Sequence, residues 1–258
     1  MSKKNKLDQY YTSEEIAKFC WERLLWKYPT AYSNKEFIEP SAGSGAFLRD
    51  DVNITGFDIE PKHPNIVQMD FLNTDKTLLK GKFVIGNPPF GWASSLAVRF
   101  LNHCSEADVI GFILPKTFMK KVFQEDKVDR HLHLVGEWEL PKNSFILEGN
   151  CYDVPCCFQI WERKEQERES LKIETFIKEC ENGELFLRRV GGRSGQFVSK
   201  EDYTESTTYR VSCNEQVEKD IISLYPKIKV VASQTAGVRS ITLKEINYLL
   251  TKEIYESK

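Results

Sequence analysis

The sequence predicts an α/β fold whose N-terminal part is built around a mostly parallel sheet. Short apolar runs rich in β-branched and aromatic residues alternate with helical patterns along residues 35–161. Glycine, proline or an acidic residue follows each of the first four runs. This alternation indicates a Rossmann-like sheet, because parallel strands need long crossover connections that helices usually supply.

The character of the chain changes after residue 161. Residues 162–170 (ERKEQERES) are densely charged and follow the last predicted strand of the sheet, which is typical of a domain boundary. We therefore predict a first domain over residues 1–164 and a small C-terminal region over residues 165–258.

Composition limits the class of protein. The chain has 258 residues, 41% of them hydrophobic, which is enough to bury a substantial core. A formal net charge of −2 gives no overall attraction for a polyanion, so a nucleic-acid partner would need a local basic face. Seven cysteines without Cys-x-x-Cys spacing and four scattered histidines predict reduced thiols and no metal site. No apolar run approaches membrane-spanning length, so we expect a soluble, cytoplasmic protein without membrane contact.

The first predicted helix lies near the N-terminus. Thr12 and Glu15 stand at capping-box spacing, so the helix is expected to begin at Ser13 and to end before Pro29. Apolar spacing predicts the buried face of this helix, which consists of Ile16, Phe19, Cys20, Leu24 and Trp26. The aromatic segment before the helix could close over a ligand.

The first strand, residues 35–39, leads into a turn of small residues over residues 40–48. Gly43 and Gly45 allow the backbone to turn sharply and to approach a ligand, and a helix with its amides facing that ligand is expected to follow. The turn lacks the full G-x-G-x-x-G pattern, so a purely structural turn is the alternative.

Acidic residues end the next two predicted strands. The second strand, residues 53–59, ends at Asp58, which is placed either to accept hydrogen bonds from ribose hydroxyls or to face solvent. The third strand, residues 65–69, is followed by Asp70 and Phe71. The connection between the two strands is too short and proline-bound for a helix.

The fourth strand, residues 82–85, leads into the most informative stretch of the sequence, Asn87-Pro88-Pro89-Phe90. The two prolines remove two amide donors, so the carbonyls of Asn87 and Pro88 remain free of the sheet. The side-chain oxygen of Asn87 and the flat ring of Phe90 suit a planar base that carries an exocyclic amine. A rigid Pro-Pro turn is the structural alternative.

The later elements continue the alternation. We predict helices over residues 94–104 and 117–128, strands over residues 108–114, 133–140 and 151–161, and a last helix that begins at Thr242. The strand at 108–114 is continuously apolar and is expected to be buried on both faces. Phe145 lies in the loop predicted over residues 141–150.

A glycine-rich basic loop lies in the C-terminal region. Arg188, Arg189 and Arg193 flank its glycines and could contact phosphates of a nucleic acid. A solvated hairpin loop is the alternative.

Taken together, the glycine turn, Asp58, Asp70 and the Asn-Pro-Pro-Phe stretch resemble one family, the S-adenosylmethionine-dependent N6-adenine DNA methyltransferases. The resemblance covers about residues 8–162. It implies a Rossmann-like methyltransferase fold with a small C-terminal extension. The motif order is similar to the gamma arrangement, in which target recognition comes last.

The resemblance also implies roles for individual residues. The amine of the target base would be bound by the catalytic stretch Asn87, Pro88, Pro89 and Phe90. Phe145, with Phe90, would stack on the flipped base. The cofactor would be held by Tyr10, Tyr11, Thr12, Glu39, Pro40, Ser41, Ala42, Gly43, Gly45, Asp58, Ile59, Asp70, Phe71 and Asn87.

The implied reaction is methyl transfer from S-adenosylmethionine to the N6 amine of adenine in duplex DNA, after the base is flipped out of the helix. Three alternatives stay open: N6-adenine methylation of RNA, methylation of a protein glutamine amide, and a non-catalytic nucleic-acid-binding subunit. The near-neutral charge does not decide between DNA and RNA. The sequence leaves the oligomeric state, a partner subunit and a link to restriction undecided.

Overall fold

The computed structural model describes residues 10–147 and 149–256. The chain divides into two compact units. The first unit runs to Met119 and resumes over Lys127–Arg168, and the second comprises Lys120–Asp126 and the chain from Glu169 onward. The boundary between the units at Arg168 and Glu169 lies close to the boundary predicted between residues 164 and 165. Lys120–Asp126, predicted within the first domain, belongs instead to the second unit.

The described part of the first unit contains ten strands and three α-helices. The strands are β1 (Tyr11–Thr12), β2 (Phe37–Glu39), β3 (Ile54–Asp58), β4 (Ile66–Gln68), β5 (Phe83–Gly86), β6 (Val109–Pro115), β7 (Leu132–Glu139), β8 (Phe145–Leu147), β9 (Asn150–Tyr152) and β10 (Cys156–Arg163). The helices are α1 (Glu14–Lys27), α2 (Ala31–Asn34) and α3 (Ser95–His103).

Seven of these strands form the central sheet in the order β4-β3-β2-β5-β6-β10-β7. Neighbours from β4 to β6 are parallel, whereas β10 is antiparallel to both β6 and β7. The mostly parallel α/β sheet predicted from the sequence is confirmed. The chain runs outward from β2 to β4 and then returns to the other side of β2 as β5. This reversal of strand order is where open α/β sheets bind ligands.

Strands β5 and β6 lie in the core of the sheet. All four residues of β5 and all seven of β6 are buried, as their continuous apolar sequence predicts. Strand β2 packs against α1, where the rings of Trp21 and Phe37 meet edge to face at 5.0 Å, and β2 pairs with β5. The rigid centre of the sheet thus holds the ends of β2 and β5 side by side.

Helix α1 is confirmed, but two details of its prediction are wrong. Ser13, not Thr12, caps the helix: the Ser13 side chain accepts a hydrogen bond from the Ile16 amide. Thr12 lies in β1 instead. Trp26 is 77% exposed, and Trp21 takes its expected place in the buried face.

The helix expected after the glycine turn is absent. Residues 40–53, all of them described, form a series of turns between β2 and β3. The chain between β3 and β4 likewise contains turns and bends, as its length predicts. Short 3₁₀ helices at Phe71–Asn73 and Lys76–Leu79 fill part of the following connection.

The segment predicted as a loop over residues 141–150 contains a strand. Strands β8 and β9 form an antiparallel hairpin, and β1 pairs with β8 through Tyr11–Ile146 and Thr12–Phe145. The single strand predicted over residues 151–161 is therefore two elements, the end of this hairpin and β10. Periodicity cannot reveal such pairings between distant residues.

The second unit contains α4 (Lys121–Lys127, its last residue in the first unit), β11 (Lys178–Glu179), β12 (Leu185–Arg188), β13 (Phe197–Val198), β14 (Thr208–Ser212), α5 (Glu215–Ser233) and α6 (Leu243–Leu250). A 3₁₀ turn, Lys116–Met119, occupies the start of the helix predicted at 117–128. The four strands of the second unit form an antiparallel sheet in the order β11-β14-β12-β13. The last helix begins at Thr242 as predicted, and Thr242 and Glu245 form a capping box there. Leu187, Val211 and Ile228 lie in a separate apolar core. None of the described helices has the length and apolar character needed to cross a membrane.

Candidate active site

A cavity of about 360 Å³ lies in the first unit, at the carboxyl ends of the parallel strands. Its volume is within the range of small-molecule sites. Most of the residues predicted for the site line it: Tyr10, Tyr11, Pro40, Ser41, Gly43, Asp58, Ile59, Asp70, Phe71, Asn87, Pro88, Pro89 and Phe90. The sheet topology therefore brings together motifs that are distant in sequence.

Five of the residues predicted to bind the cofactor or the base are not among those that line the cavity in the described chain. Thr12 is buried within β1, and Glu39 is buried at the end of β2. Ala42 is buried in the turn, where its amide donates to the Phe57 carbonyl. Gly45 and Phe145 are the other two predicted residues that do not line the cavity.

The glycine turn is held in an unusual backbone conformation. Gly43 has a φ of +50° and Gly45 a φ of +86°, and residues with a side chain rarely adopt such positive values. A Cβ atom added to Gly43 would lie 3.1 Å from Cε1 of Tyr11, so the turn and the N-terminal segment approach closely. The turn is also tied to the catalytic stretch, because Ser41 Oγ donates to the backbone carbonyl of Asn87 at 3.2 Å.

Asp58 organises the same turn from the end of β3. Its Oδ2 accepts from the Gly43 amide at 2.8 Å, and its Oδ1 accepts from the Glu60 amide at 2.8 Å. Each carboxylate oxygen can accept a further hydrogen bond. Asp58 therefore combines a structural role with the capacity to bind hydroxyl groups in the cavity.

Glu39 is a buried acid beneath the turn. Its side chain is part of a residue only 2% exposed, and Oε2 has no hydrogen-bond partner in the described part of the chain. Burial, reinforced by the nearby negative charge of Asp58, raises the pKa of Glu39 well above its ordinary value. A Cβ atom added to Gly86 would lie 3.3 Å from Cγ of Glu39, so the glycine makes room for this side chain.

Asp70 and Phe71 form another part of the cavity wall. Asp70 caps the 3₁₀ helix through the Leu72 amide (3.1 Å) and also accepts from Asn73 Nδ2 (2.9 Å). Phe71 is nearly buried, and its ring is almost parallel to that of Phe100 at 6.4 Å. Phe71 thus supports an apolar wall of the cavity.

Asn87 follows β5 and has the most informative geometry in the cavity. Its Nδ2 donates to the carbonyl of Tyr10 at 3.0 Å, and because a carbonyl only accepts, this contact fixes which side of the amide is nitrogen. The other amide atom, Oδ1, is buried without a hydrogen-bond partner among the described residues. A buried amide oxygen left unpaired costs free energy, so this acceptor fits a ligand donor.

An aromatic cluster adjoins Asn87. Tyr10 stacks with Phe90 at 6.5 Å between ring centroids and with Tyr152 at 5.3 Å. Phe145 is fully buried, and its ring meets Phe90 at an interplanar angle of 84°. The ring predicted to stack on a base therefore packs edge-on behind Phe90, while Tyr10 and Phe90 face the cavity.

The backbone after Phe90 is strained. Gly91, Ala93 and Ser94 have φ values of +68°, +49° and +66°. The Phe90 carbonyl accepts hydrogen bonds from the amides of Leu96 and Ala97, which attach the turn to the start of α3. The strained turn holds Phe90 at a fixed position beside Asn87.

The cavity includes residues that sequence reasoning missed: Glu60, Met69, Leu72, Leu96, Arg99 and Phe100. Leu96 and Phe100 lie on α3, the helix predicted over residues 94–104, and their position after the fourth strand was the available signal. Arg99 is exposed and makes no hydrogen bond or ion pair with the described residues. No sequence motif marked it.

The three arginines predicted to contact nucleic acid lie in the second unit and have partners there. Arg188 donates to Thr207 Oγ1 and to the Asp202 carbonyl, and Arg189 donates to the Ser206 carbonyl. Arg193 forms an exposed ion pair with Asp202 at 3.0 Å. These contacts support the local hairpin structure.

No protein-family model and no curated protein matches the sequence. Solved structures show weak similarity. The type IIG restriction endonuclease BpuSI is 18% identical over 62% of this chain and 26% of its own, with a TM-score of 0.45. A Pyrococcus horikoshii protein provisionally assigned as an RNA methyltransferase is 17% identical over 61% of this chain and 88% of its own, with a TM-score of 0.41.

A third similar structure is the magnesium protoporphyrin IX methyltransferase of Synechocystis with bound S-adenosylmethionine. It is 9% identical over 58% of this chain and 80% of its own, with a TM-score of 0.41. At these identities and TM-scores the similarities do not assign an activity, a substrate or a cofactor to this chain.

Proposed function

We propose that the protein transfers a methyl group from S-adenosylmethionine to the N6 amine of adenine in DNA. The observation that supports this most strongly is the buried, unpaired Oδ1 of Asn87, which lies next to two prolines at the cavity. An amine with two hydrogens is a natural partner for an amide oxygen and a neighbouring carbonyl.

The cavity residues fit the cofactor. Asp58 offers carboxylate oxygens to the ribose hydroxyls, and Gly43, which has no side chain, presents its backbone to the same cavity. Ile59, Leu72 and Phe100 provide apolar surface for a purine ring. S-adenosylmethionine, when bound, supplies a methyl group on a sulfonium that makes the methyl electrophilic.

The residues of the chain contribute orientation. Exocyclic amines of purines are poor nucleophiles because the nitrogen lone pair is delocalised into the ring. Asn87 Oδ1 and the Pro88 carbonyl would each accept one amine hydrogen, which turns the lone pair out of the ring plane. Alignment of this kind lowers the barrier by several kcal/mol, on the order of a 10³-fold rate gain or more. The surplus proton leaves to solvent after the methyl is transferred, so a basic side chain is not needed first.

A flat base suits the site better than a protein amide. The rings of Tyr10 and Phe90 line the cavity beside Asn87 and offer stacking surface. A glutamine side chain has no extended planar face to use these rings. The unpaired Asn87 oxygen also argues against a non-catalytic role, since a binding subunit gains nothing from it.

Contacts with phosphates would come from arginines at two places. Arg99 is exposed at the cavity and is not neutralised by a described carboxylate. Arg188, Arg189 and Arg193 remain proposed contacts, although each would have to exchange or share its present partner. The net charge of −2 makes such local cations important for binding a polyanion.

Nucleoside mass spectrometry tests the proposal. The purified chain is incubated with S-adenosylmethionine and long unmethylated duplex DNA, with a parallel incubation that contains RNA. We expect N6-methyl-2′-deoxyadenosine in the digest of the DNA. Methylation of RNA alone would mean that the same site acts on RNA and not on DNA. Absence of methyl in both digests, with cofactor binding demonstrated by calorimetry, would contradict nucleic-acid methylation by this chain alone.

A further inference from the structure

The catalytic stretch is followed by a short closed loop whose tip is exposed. The Phe90 carbonyl accepts hydrogen bonds from the amides of Leu96 (3.1 Å) and Ala97 (3.3 Å), which close the intervening residues into a loop. Phe90 and Leu96, at the two ends of the loop, both line the cavity. Trp92, at its tip, is 84% exposed. The loop therefore lies at the rim of the cavity and presents an aromatic ring outside it.

The backbone at this tip is fixed in a strained conformation. Ala93 (φ +49°, ψ +36°) and Ser94 (φ +66°, ψ +16°) both lie in the left-handed region, which residues with a side chain rarely adopt. The Trp92 carbonyl accepts a hydrogen bond from the amide of the first residue of α3. A Cβ atom added to Gly91 would lie 2.8 Å from Cγ of Leu96, so the loop folds tightly onto this helix. The attachment point of the indole is thus held in place at the rim.

The exposure of Trp92 differs from that of the other tryptophans. Trp21 and Trp161 are buried in the core, as is usual for large aromatic side chains. Trp26 is 77% exposed, but it lies on the last turn of α1 and does not line the cavity. One exposed indole on a helix needs no functional explanation. Only at Trp92 does exposure coincide with backbone strain and with the catalytic stretch.

The surroundings of this loop suit a polyanion. Residues 83–98 contain no charged side chain, so no carboxylate of this segment opposes a phosphate backbone. The first charge that follows is that of Arg99, which is exposed and lines the cavity. An exposed aromatic ring near a cation is the combination with which proteins hold nucleotides of a single strand. A nucleic acid is therefore the partner that best fits Trp92.

We propose that the ring of Trp92 stacks on a base of the nucleic acid next to the target nucleotide. Two residues of chain span at most about 7 Å, so the ring is attached close to Phe90 while it stays outside the cavity. Removal of a base from the stack leaves its neighbour without one stacking partner, and an indole can replace that partner. This inference deepens the proposed function and rests on it, because it assumes that a nucleic acid supplies the base in the cavity.

Full-length Trp92→Ala and Trp92→Phe test this contact. Initial rates of labelled methyl transfer are measured at saturating cofactor against the concentration of a short duplex that contains the site methylated by the wild type, or of an RNA if the wild type methylates only RNA. Calorimetry gives the dissociation constant of S-adenosylmethionine. Tryptophan fluorescence is followed as the nucleic acid is added. Trp26→Ala and Trp26→Phe are the matched controls, because Trp26 is comparably exposed.

We expect Trp92→Ala to lower kcat/KM for the nucleic acid by about 10- to 100-fold, the effect of losing one base–aromatic stack. Trp92→Phe should lose less, because its smaller ring still stacks. The nucleic acid should quench the fluorescence of the wild type and of Trp26→Phe, and this quenching should be lost in Trp92→Phe. Cofactor affinity should stay within about twofold of the wild-type value in both Trp92 variants, which also shows that they are folded. The Trp26 variants should retain wild-type kinetics.

Two results would overturn the inference while the proposed function stands. One is a wild-type kcat/KM in Trp92→Ala, or quenching that persists in Trp92→Phe. The other is weakened cofactor binding in Trp92→Ala with an unchanged KM for the nucleic acid, which would mean that the ring supports the cavity and does not contact the nucleic acid. A wild-type protein that binds the cofactor but methylates neither DNA nor RNA would instead overturn the proposed function, and the contact of Trp92 with it.

Discussion

The carboxylate of Asp58 accepts a hydrogen bond from the backbone amide of Gly43, with 2.8 Å between Oδ2 and the amide nitrogen. One acid at the end of β3 thus fixes the glycine turn that follows β2. We expect Asp58→Ala to weaken S-adenosylmethionine binding by about tenfold or more, because the ribose contact and the shape of the turn are both lost. Calorimetry measures the effect, and the exposed Asp50→Ala serves as the control. Equal affinities in Asp58→Ala and wild type would refute the contact.

The backbone of Gly43 gives a second prediction. Gly43→Ala should cost about 1 kcal/mol of unfolding free energy from its positive φ and should also weaken cofactor binding, because the new Cβ presses on Tyr11. Gly81→Ala is a matched control with φ of +79° and nothing within 4 Å of the new Cβ. Denaturation should show similar losses for both variants, whereas cofactor affinity should fall only in Gly43→Ala. A similar loss of affinity in Gly81→Ala would mean that general instability is the cause.

The buried Glu39 predicts a pH dependence of stability. Its folded-state pKa lies above the unfolded value because burial penalises the carboxylate. The stability associated with the neutral acid is therefore fully present below the unfolded pKa and is lost as pH rises through the folded pKa. Glu39→Gln should remove this loss, so the free energy of unfolding of the variant should rise relative to that of the wild type as the pH increases.

Urea denaturation between about pH 5 and pH 8 measures this difference. The advantage of Glu39→Gln should shrink toward the acidic end of the range. An advantage that is constant with pH would show that Glu39 does not titrate in this window.

Arg99 predicts the salt dependence of nucleic-acid binding. An arginine that neutralises one phosphate contributes close to one unit to the slope of log affinity against log salt concentration. We expect Arg99→Ala to reduce that slope by about 1 and to weaken binding uniformly across sequences. Arg193→Ala should change the slope less, because its guanidinium is already paired with Asp202. A larger change of the slope in Arg193→Ala than in Arg99→Ala would indicate that the phosphate contact lies in the second unit.

The sequence predicts the sheet well because its signals are local. Buried strands such as β5 and β6 are continuous apolar runs, and each acid or glycine that ends a strand is visible beside it. Parallel strands bring their carboxyl ends to one edge of the sheet, so strand order along the chain was enough to gather Gly43, Asp58 and Asn87.

Features made by distant pairing could not be predicted in the same way. The pairing of β1 with β8 places Tyr10 beside Asn87 and buries Phe145, and neither partner carries a local signal of the other. The turns that replace the expected helix after β2 depend on the hydrogen bonds of Asp58 and on positive φ values at Gly43 and Gly45. Arg99 lies on a predicted helix, but its position at the cavity follows only from the rotation of α3.

The central claim is that Asn87 Oδ1 binds the amine that receives the methyl group. The most direct measurement is methyl transfer and cofactor binding by Asn87→Ala, beside the exposed control Asn53→Ala. We predict a loss of methyl transfer of about 10²-fold or more in Asn87→Ala, because the acceptor for the amine is removed. Cofactor affinity should stay within about threefold of wild type, because the other hydrogen bond that is lost joins Asn87 Nδ2 to the Tyr10 carbonyl and not to the cofactor. Wild-type transfer rates in Asn87→Ala, or loss of cofactor binding as the main effect, would contradict the claim.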